Sequence, residues 1–113
     1  MSDNSKRIAE LNDAFRKSLH DRTRGKTYMT DGVNALGPTF FTRAIAAVAA
    51  FDKFSEDNDP YGEHDFGSFA LSGKKLFWKI DYFSKADPDL GAEDASDPAM
   101  TDRGLTIMLA EEY

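Results

Sequence analysis

The chain has 113 residues, no cysteine, and a formal net charge of −6 from 14 Lys/Arg and 20 Asp/Glu. That length suits one domain, and nine Phe, four Tyr and one Trp are too many core-forming rings for a disordered acidic tail. The lack of Cys excludes disulfide scaffolds, thiolate zinc sites and cysteine nucleophiles, and the acidic balance argues against direct binding of nucleic acid through its phosphates.

The start, Met1-Ser2-Asp3-Asn4, is polar and lacks a signal-peptide pattern. The longest apolar run, Ala44 to Phe51, is far short of the roughly 20 residues of a membrane span. A soluble, cytoplasmic protein is expected. Ile8, Leu11, Phe15 and Leu19 recur at three- and four-residue steps, predicting a helix over 4–20 with Asn4 or Ser5 as its cap and Gly25 as its stop. Lys26 to Thr30 reads as a short strand before an Asp31-Gly32 turn. Gly37-Pro38 then opens a second helix, over 38–54. Its stretch from Ala44 to Ala50 is apolar nearly all round, which predicts cover on more than one side.

Residues 55–62 read as loop, and 65–72 and 74–83 as two strands around a Ser72-Gly73 turn. Leu76, Trp78, Ile80 and Tyr82 alternate onto one face. A two-residue turn there sets Phe69 opposite Leu76, Gly67 opposite Trp78 and His64 opposite Asp81. Residues 84–103 form a long acidic connection. Leu105 to Ala110 fits a third strand or a helix, and its Thr and Ile favour the strand. The expected fold is α+β over a single domain, 1–113. Two N-terminal helices pack on a small antiparallel sheet built around the central hairpin, with the second helix against the Leu76/Trp78/Ile80/Tyr82 face.

Several of these stretches occur together in a known pattern. Asn58-Asp59-Pro60-Tyr61-Gly62-Glu63-His64-Asp65-Phe66-Gly67, Phe77-Trp78-Lys79-Ile80-Asp81-Tyr82 and Leu105 to Tyr113 resemble a family of small alphaproteobacterial proteins, domain of unknown function 3768. Arg7 to Arg16 is similar to the family's usual opening. The Asn34 to Pro38 region and Gly104, where the family pattern has a β-branched residue, depart from it. The resemblance implies no activity and no catalytic residues. It implies a context, since such proteins are frequent on plasmids and other mobile elements.

The charge is unevenly spread: residues 1–50 carry a net +3 and residues 51–113 a net −9. The candidate binding residues are the acids of two segments, Asp57, Asp59, Glu63 and Asp65 before and at the start of the hairpin, and Asp87, Asp89, Glu93 and Asp94 after it. One reading is solvated loops paired with the basic half. The other is a surface offered to a basic or DNA-binding protein partner, to which an acidic protein can imitate DNA phosphates.

The segment Asp57 to Asp65 holds oxygen ligands suited to a hard cation. As a calcium loop it fails, because Tyr61 and Ser68 fall where oxygen ligands belong; turn chemistry explains the same residues. A cross-strand His64–Asp81 pair is the arrangement of a general base or of a metal ligand with its orienting carboxylate. The only other His is His20, too little imidazole for a zinc site, and no cofactor is expected. Arg16, Lys17, Arg22, Arg24 and Lys26 lack the interleaved rings of a nucleic-acid surface. Two functions follow as expectations. The first is a protein-interaction or regulatory accessory module with an acidic contact surface. The second is a metal-dependent or His–Asp hydrolytic enzyme centred on Glu63, His64, Asp65 and Asp81.

Overall fold

The computed structural model describes residues 3–113; Met1 and Ser2, half of the polar start, lie outside the described residues. In chain order it contains α1 (Asp3–Arg16), β1 (Lys26–Met29), α2 (Asp31–Asn34), α3 (Gly37–Ala50), β2 (Phe66–Leu71), β3 (Lys74–Ser84), β4 (Thr101–Leu109) and a 3-10 turn, Ala110–Glu112. The class is α+β, as expected, but helices and strands interleave and the sheet is mixed. Its strand order is β1-β4-β3-β2. β2 and β4 flank β3 in antiparallel fashion, whereas β1 pairs parallel with β4. A parallel pair needs a long crossover, and here everything from α2 to β3 supplies it.

Alternation decides the two faces of the sheet. Leu76, Trp78 and Ile80 of β3 with Leu105 and Ile107 of β4 are buried against Phe15 of α1, Val33 of α2, and Phe40, Ala44 and Val48 of α3. Those three α3 residues recur every four positions, so one stripe of the helix meets the core. Phe41 and Ile45 beside this stripe are partly buried against the same core, while Ala46 and Ala50 are exposed, so the cover extends beyond one stripe without closing round the helix. On the other sheet face Lys26, Tyr28, Ser68 and Asp102 are exposed, whereas Met108 is buried and Phe66, Phe77 and Tyr113 pack against one another.

The hairpin turns as its sequence dictates. Ser72 and Gly73 have φ of 52° and 75°, the left-handed pair of a two-residue hairpin turn. Arg43 of α3 donates to the Ser72 hydroxyl at 3.1 Å. Phe69 lies opposite Leu76 and Gly67 opposite Trp78. A Cβ at residue 67 would sit 2.5 Å from the Trp78 Nε1 and 2.7 Å from Phe51 Cζ, so the indole needs the bare glycine beneath it.

Other boundaries differ from expectation for local reasons. α1 ends at Arg16, not near residue 20, and the chain turns through residues 17–24 by bonds to the third residue back, such as Ser18 N–H to Phe15 and Arg24 N–H to Asp21. The Asp21 carboxylate holds one of those turns by accepting from the Thr23 N–H and hydroxyl. Asp31-Gly32 begins α2 instead of a simple turn, because Glu112 accepts from the Thr30 hydroxyl at 2.5 Å and from the Gly32 N–H at 3.0 Å. The last segment is strand, and it starts at Thr101. Gly104 lies inside it, with the rings of Tyr28 and Phe83 each 3.2 Å from where its Cβ would be. Among the described residues no helix is long and apolar enough to cross a membrane.

Two substitutions test this packing. Trp78→Ala removes a fully buried indole and should cost about 3–5 kcal/mol of unfolding free energy in urea titration. Gly67→Ala should cost about 1–3 kcal/mol by overpacking, although it adds a single methyl group.

Candidate functional site

The polar residues of α1 build the site. Asn12 and Arg16 are four apart, so they share the helix stripe of Ile8 and Phe15 and are carried into the core with it. Asn12 is 0% and Arg16 2% exposed. The Arg16 guanidinium reaches the C-terminal end of α3. It donates to the carbonyls of Val48 and Phe51, both at 2.7 Å, and of Ala49 at 3.3 Å. The Val48 carbonyl also accepts from the Phe51 N–H at 3.2 Å; at this end of a helix the last carbonyls lack their full set of helical donors, and a cation there also meets the negative end of the helix dipole. Its other terminal nitrogen holds Asp13 Oδ1 at 2.9 Å. The rings of Phe54 and Trp78 lie 5.4 and 5.3 Å from the guanidinium carbon.

Asp13 in turn receives His64, whose Nδ1 is 3.0 Å from Oδ1 and 3.1 Å from Oδ2. The expected His64–Asp81 pair therefore does not form. Hairpin pairing stops at Phe66, with one more bond from the Ile80 N–H to the Asp65 carbonyl. His64 has φ of 56°, a left-handed conformation that leaves the strand and turns its ring toward α1. Asp59 enforces this: its buried carboxylate accepts from the N–H groups of Glu63 at 3.1 Å and of His64 at 3.2 Å. The imidazole also stacks on Phe54, with centroids 3.9 Å apart and an interplanar angle of 2°. Asp81 pairs with Lys79 instead, at 3.0 Å.

A second chain of bonds runs deeper. Arg103 Nε donates to Asn12 Oδ1 at 2.7 Å, and Asn12 Nδ2 donates to the Glu63 carbonyl and the Tyr82 hydroxyl, both at 2.9 Å. Tyr82 donates onward to Glu63 Oε1 at 2.9 Å. Another Arg103 nitrogen bonds the Ala95 carbonyl. Burial pushes the Tyr82 phenol well above its ordinary pKa and lowers that of Arg103. Burial, with the Glu63 carboxylate nearby, also raises the carboxyl of half-buried Asp65.

The remaining sequence candidates divide by exposure. Asp57, Asp87, Asp89 and Glu93 are exposed. Asp87 accepts from the Asp89 N–H at 3.1 Å. Asp94 is half-buried and accepts from the N–H and hydroxyl of Ser96, bonds that hold its carboxyl below the usual range. So of the eight acids singled out, Asp59 and Glu63 accept hydrogen bonds that hold the loop and Tyr82 in place.

Asn12, Asp13, Arg16, Tyr82 and Arg103 were not among the candidates. Their signal was present in the pattern: Asn12 and Arg16 fall on an apolar helix stripe, and Arg103 alternates with Leu105 and Ile107 on the buried face of β4. A His whose Nδ1 is fixed by a carboxylate is oriented for proton transfer, but Nε2 faces a second carboxylate, Asp59 Oδ2, at 3.7 Å. No Ser, Thr or Tyr hydroxyl bonds that imidazole among the described residues. Nor, among the described residues, is any group of three or more His, Asp or Glu arranged to hold a metal ion. The arrangement ties α1, the 59–64 loop and the sheet together.

A family model described as Protein of unknown function (DUF3768) matches residues 29–112. The matched stretch includes the loop with Asp59, Glu63 and His64 and strands β2 to β4, and it leaves out α1. No curated protein and no solved structure matches the chain.

Asn12→Ala should cost about 1–3 kcal/mol in urea unfolding, because it leaves the buried Arg103 Nε without its acceptor and takes a donor from the Glu63 carbonyl and the Tyr82 hydroxyl. Asp57→Ala on the exposed loop should stay within about 0.5 kcal/mol. For Asp65, a pKa raised in the fold means that ionisation opposes folding. That penalty is present at neutral pH and fades as pH falls through the raised value to the unfolded one. Asp65→Asn should therefore raise the thermal midpoint near pH 7. The gain should vanish by about pH 3.

Proposed function

The chain belongs to the DUF3768 family, whose description assigns no activity, and we propose on its geometry that it works by binding, as a protein-interaction or regulatory accessory module whose contact surface is the acidic connection between β3 and β4. The carrying observation is that this long connection is held in one shape. Lys85 N–H bonds the Met100 carbonyl and Ser84 N–H the Leu90 carbonyl, while Ala92 N–H bonds Tyr82. Thr101 donates to the Asp94 carbonyl at 2.7 Å, and Arg103 bonds Ala95. A loop ordered in advance loses little entropy on association.

What it presents outward suits a basic partner. Asp87, Asp89 and Glu93 are exposed, and Leu90 among them is 59% exposed. An apolar side chain ringed by acids offers both contact area and electrostatic selection of a cationic surface. The hydrolytic reading has less support, since the imidazole it depends on sits between two carboxylates.

The test compares tagged wild-type protein with the D87N/D89N/E93Q/D94N variant in pull-downs from the native host. Asn at residue 94 keeps the oxygen that caps Ser96. Proteins retained by the wild type should elute as salt rises from about 50 to 300 mM and should be lost from the variant. Retention independent of both salt and substitution would overturn the acidic contact surface.

A further inference from the structure

A groove of about 580 Å³ opens where the turn after α1, strand β1, the end of β3 and the start of β4 meet. That size lies within the roughly 300–1,000 Å³ range of small-ligand sites. Its charge is opposite to that of the molecule. Arg22, Arg24, Lys26, Lys85 and Arg103 line it against a single acid, Asp102, in a chain of net charge −6. The acidic connection contributes Lys85, Pro88 and Pro98 to the lining and none of its acids.

Most of this positive charge is uncommitted. Arg24 is 3.4 Å from Asp21 and Lys85 is 3.9 Å from Asp102, in pairs open to water that are individually weak. Among the described residues Arg22 and Lys26 make no ion pair. Arg103 is anchored by Asn12 and Ala95 and supplies a fixed field. Concentrated positive charge of this kind on an acidic molecule favours a small anion.

Rings line the same groove. Tyr28 is 50% and Phe83 37% exposed. The two approach each other across Gly104, where an added Cβ would lie 3.2 Å from either ring. Exposed rings beside free cations provide a stacking surface and a phosphate anchor together, the pairing by which a planar base joined to a phosphate is held. We propose that this groove binds a nucleotide, with its phosphate at Arg22 and Lys26 and its base against Tyr28, the more exposed of the two rings. A single strand carries the same groups, but beyond the groove a polyanion would meet a surface of like charge. The geometry therefore favours one nucleotide over an extended strand.

The test titrates the full chain calorimetrically at low salt with the four nucleoside monophosphates, with inorganic phosphate, and with a short oligothymidylate. At least one monophosphate should bind, more tightly than inorganic phosphate and more weakly as salt rises. Its affinity should fall about tenfold or more in the R22Q/K26Q variant and again in Tyr28→Ala. Both changes lie at exposed positions, and an unchanged thermal midpoint would confirm that each variant is folded. Four silent monophosphates would overturn the proposal, as would binding untouched by either variant. Inorganic phosphate binding as tightly as a monophosphate would remove the stacked base, and oligothymidylate binding with the monophosphates silent would replace the nucleotide by a strand. None of these readouts depends on the acids of the connection, so failure here and failure of the acidic contact surface are distinguishable.

Discussion

One guanidinium, that of Arg16, joins parts of the chain that share no strand pairing. It is nearly inaccessible to water, and it ends α3 by taking the carbonyls of Val48, Ala49 and Phe51. A charge that deep in the fold is tolerable only with close partners on several sides; here the partners are three carbonyls, the Asp13 carboxylate and two ring faces. The geometry then propagates. With α3 closed at Ala50, the chain leaves in an extended direction at Phe51, and Phe51 and Phe54 pack edge-on against Trp78. With Asp13 held, His64 has a fixed acceptor, and the loop that carries it docks on α1. Removing the guanidinium would take a buried donor from three carbonyls and from the Asp13 carboxylate together, a larger effect than the loss of one surface pair.

The parts of this fold legible in the sequence were those set by local rules. Alternation in Leu76, Trp78, Ile80 and Tyr82, together with one two-residue turn, fixed the hairpin register down to the indole over Gly67. Helical spacing located α1 and α3. What escaped was non-local. Nothing in Lys26 to Met29 announces a parallel partner near residue 105, and α2 is capped by Glu112 from the far end of the chain. His64 shows the same limit within the site: extending the hairpin register past Phe66 paired it with Asp81, but a carboxylate five residues upstream, Asp59, had already bent the backbone out of the strand. Asn12 and Arg16 lie on the inward stripe of α1 and Arg103 on the inward side of β4, although from sequence Arg16 reads as one of a basic group and Arg103 as part of the connection before the strand; polar residues at inward positions are the feature that locates a buried network.

The uneven charge also acquires a structural meaning. The acidic half is not uniformly a surface. Asp59 and Glu63 are drawn inward as acceptors, and Asp94 closes a turn, while Asp87, Asp89 and Glu93 remain in solvent. The basic half behaves in the complementary way, with Arg16 consumed by the core and Arg22, Arg24 and Lys26 left at a groove that Lys85 and Arg103 complete. Two oppositely charged regions thus adjoin across the connection between β3 and β4, one on its exposed acids and one along its base.

The strand order has a consequence for how the molecule is made. β4 lies between β1 and β3, so the centre of the sheet comes from residues 101–109, and β1 waits more than 70 residues for its neighbour. Without that strand the β2–β3 hairpin has one unpaired edge, and β1 has no partner in the sheet. Such high contact order predicts slow folding relative to helical domains of this size. It also leaves an interval in which an unpaired β3 edge is exposed to other chains. β4 is thus the keystone of the sheet: it alone pairs both with β1, in parallel, and with the antiparallel hairpin.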